Sequence, residues 1–377
     1  MSAEPENADI PHDRGHRVLI PPYVPSPVSV TARVPGQAAI AAWLFAVAVM
    51  IFAMIVIGGL TRLTESGLSI VDWKPLTGWL PPFGEAAWQE VFARYKTSPQ
   101  YLKVNLGMTL SEFQAIFWLE YVHRLWGRLI GVVFLVPFLV FLWRGRLGEG
   151  LMRKLVLMFV LGGAQGALGW FMVQSGLVND PAVSQYRLTA HLGLALVIYA
   201  YILWVAHGLA FAGAKPRVGG RLATAAVFLL SAVFVTALAG ALVAGLDAGL
   251  AYNTFPQMGD QWIPDGILEL SPLRLNFFEN VAMVQFQHRC LATATVVFAI
   301  LFWAYARTAP LPARGRMAVA ALPIVALVQF GLGVATVVNA VPVSLGALHQ
   351  AFAVVLLTVC LLIVREMFPQ PPEAGGP

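Results

Sequence analysis

Charge is what this sequence has least of. Lys, Arg, Asp and Glu make up 11% of its 377 residues, against 58% hydrophobic residues. A soluble globular chain carries about 25% charged residues. The deficit excludes an ordinary water-soluble domain. It also makes length a poor guide to domain count, because lipid covers side chains that a core would otherwise bury. Cysteine is scarce: Cys290 and Cys360 lie in apolar runs, with no CxxC spacing. Cysteine therefore gives no compartment signal, and both thiols read as small buried hydrophobes. The net charge of +5 comes without a basic cluster, which excludes a nucleic-acid partner. The N-terminus lacks the basic lead, short apolar core and small-residue cleavage site of a signal peptide, and its acids argue against a mitochondrial presequence. Residues 1–36, with seven prolines and Glu4, Glu6, Asp9 and Asp13, read as a disordered tail, and 369–377 as another.

What is present is long apolar runs. A membrane helix needs about 20 mainly apolar residues. Eight segments qualify: 38–60, 114–143, 152–176, 186–212, 220–246, 279–306, 315–338 and 343–366. The expected fold is an all-α integral membrane protein with eight transmembrane helices. Lys and Arg set its orientation. The N-terminal tail, the loops after even-numbered helices and the C-terminus hold fourteen of these residues, and the other loops seven. Both termini are therefore expected in the cytoplasm. Two outside connections, 61–113 and 247–278, are long and rich in Trp and Pro, so they are expected to form ordered caps.

The chain also repeats itself. Gly59, Pro75 and Gly78 match Gly240, Pro256 and Gly259 at a spacing of 181. His123-Arg124 matches His288-Arg289, Gln165 and Gly169 match Gln329 and Gly333, and His191 matches His349. Such a parallel repeat implies two pseudo-symmetric four-helix bundles, 37–213 and 214–368.

Intramembrane ionisable groups are a functional hypothesis by default. Of seven histidines, His12 and His16 sit in the tail, and His207 near a helix end suits an interfacial role. His123, His191, His288 and His349 fall on the second, fourth, sixth and eighth helices. They lie about 6 to 11 residues past the outer end, roughly 9–16 Å deep. Two imidazoles on facing helices can clamp a heme, and bundle cores are where such cofactors are built. One pair per half predicts two hemes, with satisfied polar core residues as the competing reading. Glu120 lies one turn outward of His123, where the second half has Gln285. A carboxylate there can manage protons or stabilise developing positive charge, or it can serve as a partner of His123 or Arg124. Arg124, Arg128 and Arg289, with Arg62 and Lys74 above, are candidates for heme propionates. Structural ion pairing is their alternative role.

The motifs resemble a known family. Gly58-Gly59 through Ser69, Trp73 to Gly78, Glu120-Tyr-Val-His-Arg-Leu-Trp-Gly-Arg128, Tyr252-Asn-Thr-Phe-Pro-Gln-Met258, Gln285-Phe-Gln-His-Arg289 and His349-Gln350 are similar to those of heme A synthases, over about residues 38 to 366. The resemblance implies oxidation of the C8 methyl of heme O to a formyl group, giving heme A for cytochrome c oxidase. It implies heme b held by His288 and His349, and substrate heme O near His123 and His191, with Glu120 essential. It also implies a bacterial inner membrane location and, as partners, heme O synthase and cytochrome oxidase assembly factors. Two rival readings are a diheme b-type cytochrome exchanging electrons with quinone and a repeat-built transporter. Many bacterial members carry a cysteine pair in the first outside loop, but residues 61–113 contain none. The chain thus resembles the cysteine-lacking branch, and a thiol relay is excluded. A Cys290→Ser, Cys360→Ser double variant should turn over at the wild-type rate. Activity lost on removing these thiols would contradict that exclusion.

Overall fold

The computed structural model describes residues 36–72, 77–178, 181–211 and 220–368. The expected tails, apart from Gly36, lie outside these residues, as do Trp73, Lys74 and Pro75. In chain order the helices are α1 (Gln37–Leu63), α2 (Gly84–Tyr95), α3 (Pro99–Lys103), α4 (Leu110–Trp143), α5 (Glu149–Val178), α6 (Gln185–Ala210), α7 (Gly220–Gly245), α8 (Asn276–Glu279), α9 (Val281–Ala306), α10 (Ala313–Val338) and α11 (Val343–Met367). Eight of them, α1, α4, α5, α6, α7, α9, α10 and α11, are long and apolar enough to cross a membrane. No strand forms among the described residues. The helical solution follows from the solvent: in hydrocarbon each backbone N–H and C=O must be satisfied within its own segment.

The boundaries follow the hydropathy reading, with one notable extension. α4 begins at Leu110, four residues before the expected start, because Thr109 and Glu112 form a reciprocal capping box ahead of the apolar run.

Four helices make the centre. α1 packs against α6 and α11, α6 against α7, and α7 against α11. The apolar core runs along them through Leu44, Val47, Ile202, Leu229, Val354 and Leu357. The first long connection forms an ordered cap. Phe92 and Tyr95 of α2 stack on Phe113 of α4, at ring centroid distances of 5.0 Å each. Tyr95 is fully buried, and its hydroxyl accepts from Asn105 and donates to Gln100. Burial holds its phenol above the usual tyrosine pKa.

The two halves share local structure at a single spacing. Glu65 and Asp247, 182 apart in number, both take left-handed backbone, with φ of 53° and 50°. Each leads into a one-turn 3-10 helix, Ser66–Leu68 and Ala248–Leu250.

Two expectations need correction. Cys360 is buried, but Cys290 is exposed on α9, because its side of that helix faces away from the bundle. His207 lies near its helix end as expected, but inside the protein: it is 4% exposed and its Nε2 lies 2.9 Å from Oε1 of Glu366, itself 1% exposed. Arg314 Nε also reaches Glu366 at 3.4 Å, and Arg365 Nε donates to the Trp204 carbonyl at 3.3 Å. This cluster ties α6 to α11 at the end opposite the caps. Breaking a buried ion pair strands its partner, so Glu366→Ala should lower stability by about 1–3 kcal/mol. Thermal unfolding in detergent reads this, and an unchanged midpoint would show that the cluster contributes nothing.

Candidate heme sites

The second half presents a facing pair. The rings of His288 on α9 and His349 on α11 have centroids 6.5 Å apart and planes at 85°. Metal–imidazole bonds of about 2 Å place the centroids of two trans rings roughly 6 to 6.5 Å apart. The spacing therefore fits one iron bound between the two imidazoles. Both rings keep part of their surface free although they stand within the bundle. Nδ1 of each is buried without a hydrogen bond of good geometry. The backbone of Thr236 stands close to the His288 ring, and that of Gln329 close to the His349 ring. A ligating histidine is commonly oriented by such a group on its outer nitrogen.

Each ring is seated on glycine. A Cβ built on Gly240 of α7 would stand 3.0 Å from Cε1 of His288, and one on Gly333 of α10 would stand 2.8 Å from Cε1 of His349. Only a residue without a side chain lets the imidazole lie this close to a helix backbone. The first half repeats the device. His191 on α6 rests on Gly169 of α5, where a Cβ would meet Cε1 at 3.0 Å. His123 on α4 faces Gly58 of α1, where a Cβ would meet Nε2 at 3.7 Å. Gln165, four residues before Gly169, places Nε2 3.2 Å from Nδ1 of His191 and donates to its carbonyl at 3.1 Å. The glycine that corresponds to Gly240 is thus Gly58, at a spacing of 182, and not Gly59 as the sequence match at 181 suggests.

The acidic and basic residues serve the loops above. Glu120 is 2% exposed. One of its oxygens accepts from Ser69 Oγ at 2.6 Å and Ile70 N–H at 2.7 Å, and the other from Arg124 at 2.9 and 2.5 Å. Arg124 donates onward to the carbonyls of Ile70 and Asp72. Arg289 grips the corresponding carbonyls, Tyr252 at 2.8 Å and Thr254 at 2.8 Å, and Gln285 donates to Tyr252 at 3.0 Å. Arg62 pairs with Asp247 at 2.8 Å, and Arg128 lies over the Trp79 ring, 5.9 Å from its centroid. Of the propionate candidates, then, Arg62, Arg124 and Arg289 already hold protein partners, and Lys74 lies outside the described residues. The asymmetry between Glu120 and Gln285 has a structural counterpart. The carboxylate accepts a backbone N–H from its loop, whereas the amide donates to a backbone carbonyl.

Sequence reading missed the glycine seats, which look like cheap matches in apolar helices. It named Gln350 as part of a motif but gave it no role; its Nε2 donates to the Ile55 carbonyl at 2.6 Å.

Residues 41–361 match the COX15-CtaA model, described as cytochrome oxidase assembly protein. The chain is 48% identical over 335 residues to the heme A synthase of Nitrosospira multiformis, covering 88% of this chain and 94% of that protein. It is 48% identical over 330 residues to that of Parvibaculum lavamentivorans, covering 87% and 94%. It is 44% identical over 346 residues to heme A synthase COX15 of Arabidopsis thaliana, covering 89% and 76%.

The seats yield a test. Gly333→Val should push the His349 ring aside and lower the heme retained per chain, measured as pyridine hemochrome. Gly131→Val, where no described atom lies within 4 Å of the new Cβ, should not. Equal heme content in the two variants would show that the seats do not position ligands.

Proposed function

The chain belongs to the COX15-CtaA family of cytochrome oxidase assembly proteins, and on that footing we propose that it is a heme A synthase, a multi-pass membrane oxidoreductase that converts heme O to heme A. The observation that carries this reading is the paired histidines, one pair in each half, with the His288–His349 spacing matched to a single iron. The 44–48% identity to proteins named heme A synthase, over most of the chain, supports it.

The division of labour follows from the difference between the halves. His288 and His349 hold heme b, which supplies one-electron redox chemistry when bound. His123 and His191 receive substrate heme O in residues 37–213, the half that carries the carboxylate. Two successive hydroxylations of the C8 methyl, each consuming one dioxygen, two electrons from an external reductant and two protons and releasing one water, give a gem-diol, and loss of water leaves the formyl group. The residues of this chain orient and insulate that chemistry. Gly58 and Gly169 bring the rings close to their helices. Glu120, through Ser69, Ile70 and Arg124, fixes the loop that roofs the His123 site. Its carboxylate, buried beside a guanidinium, stands where the heme b half has the amide of Gln285, and it manages protons or stabilises positive charge developing on the substrate. The loops carrying the caps face the periplasm and both termini the cytoplasm of a bacterial inner membrane. There the chain would meet heme O synthase and the cytochrome oxidase assembly factors.

Purified protein supplied with heme O and a reductant under air should yield heme A by HPLC. Glu120→Gln keeps the size of the side chain but loses its charge, and should cut conversion by about 10²-fold or more. Turnover at the wild-type rate would remove Glu120 from the chemistry, and no heme A from the wild type would overturn the assignment.

A further inference from the structure

His349 is followed in α11 by Gln350, and that side chain reaches out of its own half. Its Nε2 donates to the Ile55 carbonyl of α1 at 2.6 Å. The approach is possible only because Gly59 has no side chain: a Cβ there would stand 2.8 Å from Cδ and 2.9 Å from Nε2 of the amide. Gly58, the next residue back, faces His123. A single turn of α1, from Ile55 to Gly59, therefore touches the His123 ring on one side and the covalent neighbour of His349 on the other. The Ile55 carbonyl also accepts from Gly59 N–H within the helix, which makes the contact continuous in bonds and hydrogen bonds.

The repeat does not require this contact. Leu192 follows His191 at the position equivalent to Gln350, and Ala241 stands at the position equivalent to Gly59. Apolar packing suffices there. The polar bridge is thus an addition peculiar to the junction between the halves.

We propose that Gln350 connects the two heme sites, joining the turn that carries His349 to the wall of the His123 site and providing the route for an electron between them. The proposal rests on the heme assignment above. In the step itself one electron leaves the ferrous heme b iron, which becomes ferric, and reduces the ferric iron of the substrate heme. No bond forms or breaks and no proton moves. Among the described residues, this side-chain hydrogen bond joins the ligand-bearing turn of α11 to the turn of α1 that faces His123.

The test uses the full-length holoprotein. Protein with ferrous heme b is mixed anaerobically with ferric heme O, and electron transfer is followed by stopped-flow absorbance. Gln350→Leu should slow the transfer by an order of magnitude. Heme b content and the EPR signal of the ferric His288–His349 heme should stay as in wild type. Gly59→Ala, which pushes the amide off the Ile55 carbonyl while leaving Gln350 in place, should slow it likewise. Wild-type rates in both variants would overturn the proposal. So would a slowed rate accompanied by lost heme or a shifted EPR signal, since Gln350 would then only hold the ligand in place. A wild-type protein that takes up no heme O would overturn the underlying assignment instead.

Discussion

Placing an imidazole inside hydrocarbon against a helix backbone is the constraint on which this structure turns. The ring is polar and costly to bury, and close approach to a helix is open only where the facing residue lacks a Cβ. The chain meets the requirement three times, with Gly169, Gly240 and Gly333 under His191, His288 and His349, while Gly58 faces His123 at an ordinary contact distance. Helix packing in lipid depends on such close contacts, because no hydrophobic driving force separates helix from tail. Here the small residues do not bring two backbones together. They admit an imidazole against the helix backbone. The 6.5 Å between the His288 and His349 centroids is the outcome of two such seatings.

Above each pair the same loop anchor recurs. A guanidinium one residue past the first histidine, Arg124 or Arg289, draws down the carbonyls of the descending loop. A charged group at this depth is tolerated because its donors are taken by oxygens in fixed positions. The anchor closes the capped end over the histidines, with Glu120 beside it in one half and Gln285 in the other. Opposite the caps, His207, Arg314, Arg365 and Glu366 hold α6 and α11 together. The two helices that supply His191 and His349 are thereby pinned at their far ends.

The sequence made some of this legible and hid the rest for definite reasons. Hydropathy located eight spans because lipid imposes a uniform rule on every apolar run. The start of α4 was missed because a capping box, a local hydrogen-bond motif, extends the helix past the apolar stretch. The histidines stood out as rare groups in the wrong solvent, and their pairing followed from the repeat. The seats did not stand out: glycine is common in membrane helices, and Gly58 and Gly59 are adjacent and indistinguishable until the structure gives one to His123 and the other to Gln350. Arg124 and Arg289 looked like propionate partners because the path of the loops above them, which places carbonyls in their reach, has no periodicity to read. His207 and Glu366 lie far apart in the chain, and only the crossing of α6 and α11 brings them to 2.9 Å.

The central claim is that His288 and His349 are the two axial ligands of one heme. Low-temperature EPR of the oxidised, purified chain tests it most directly. The account predicts a low-spin ferric signal of bis-imidazole type that disappears in His288→Ala and in His349→Ala and persists in His207→Ala. A colourless preparation, or a signal that survives replacement of both His288 and His349, would contradict it.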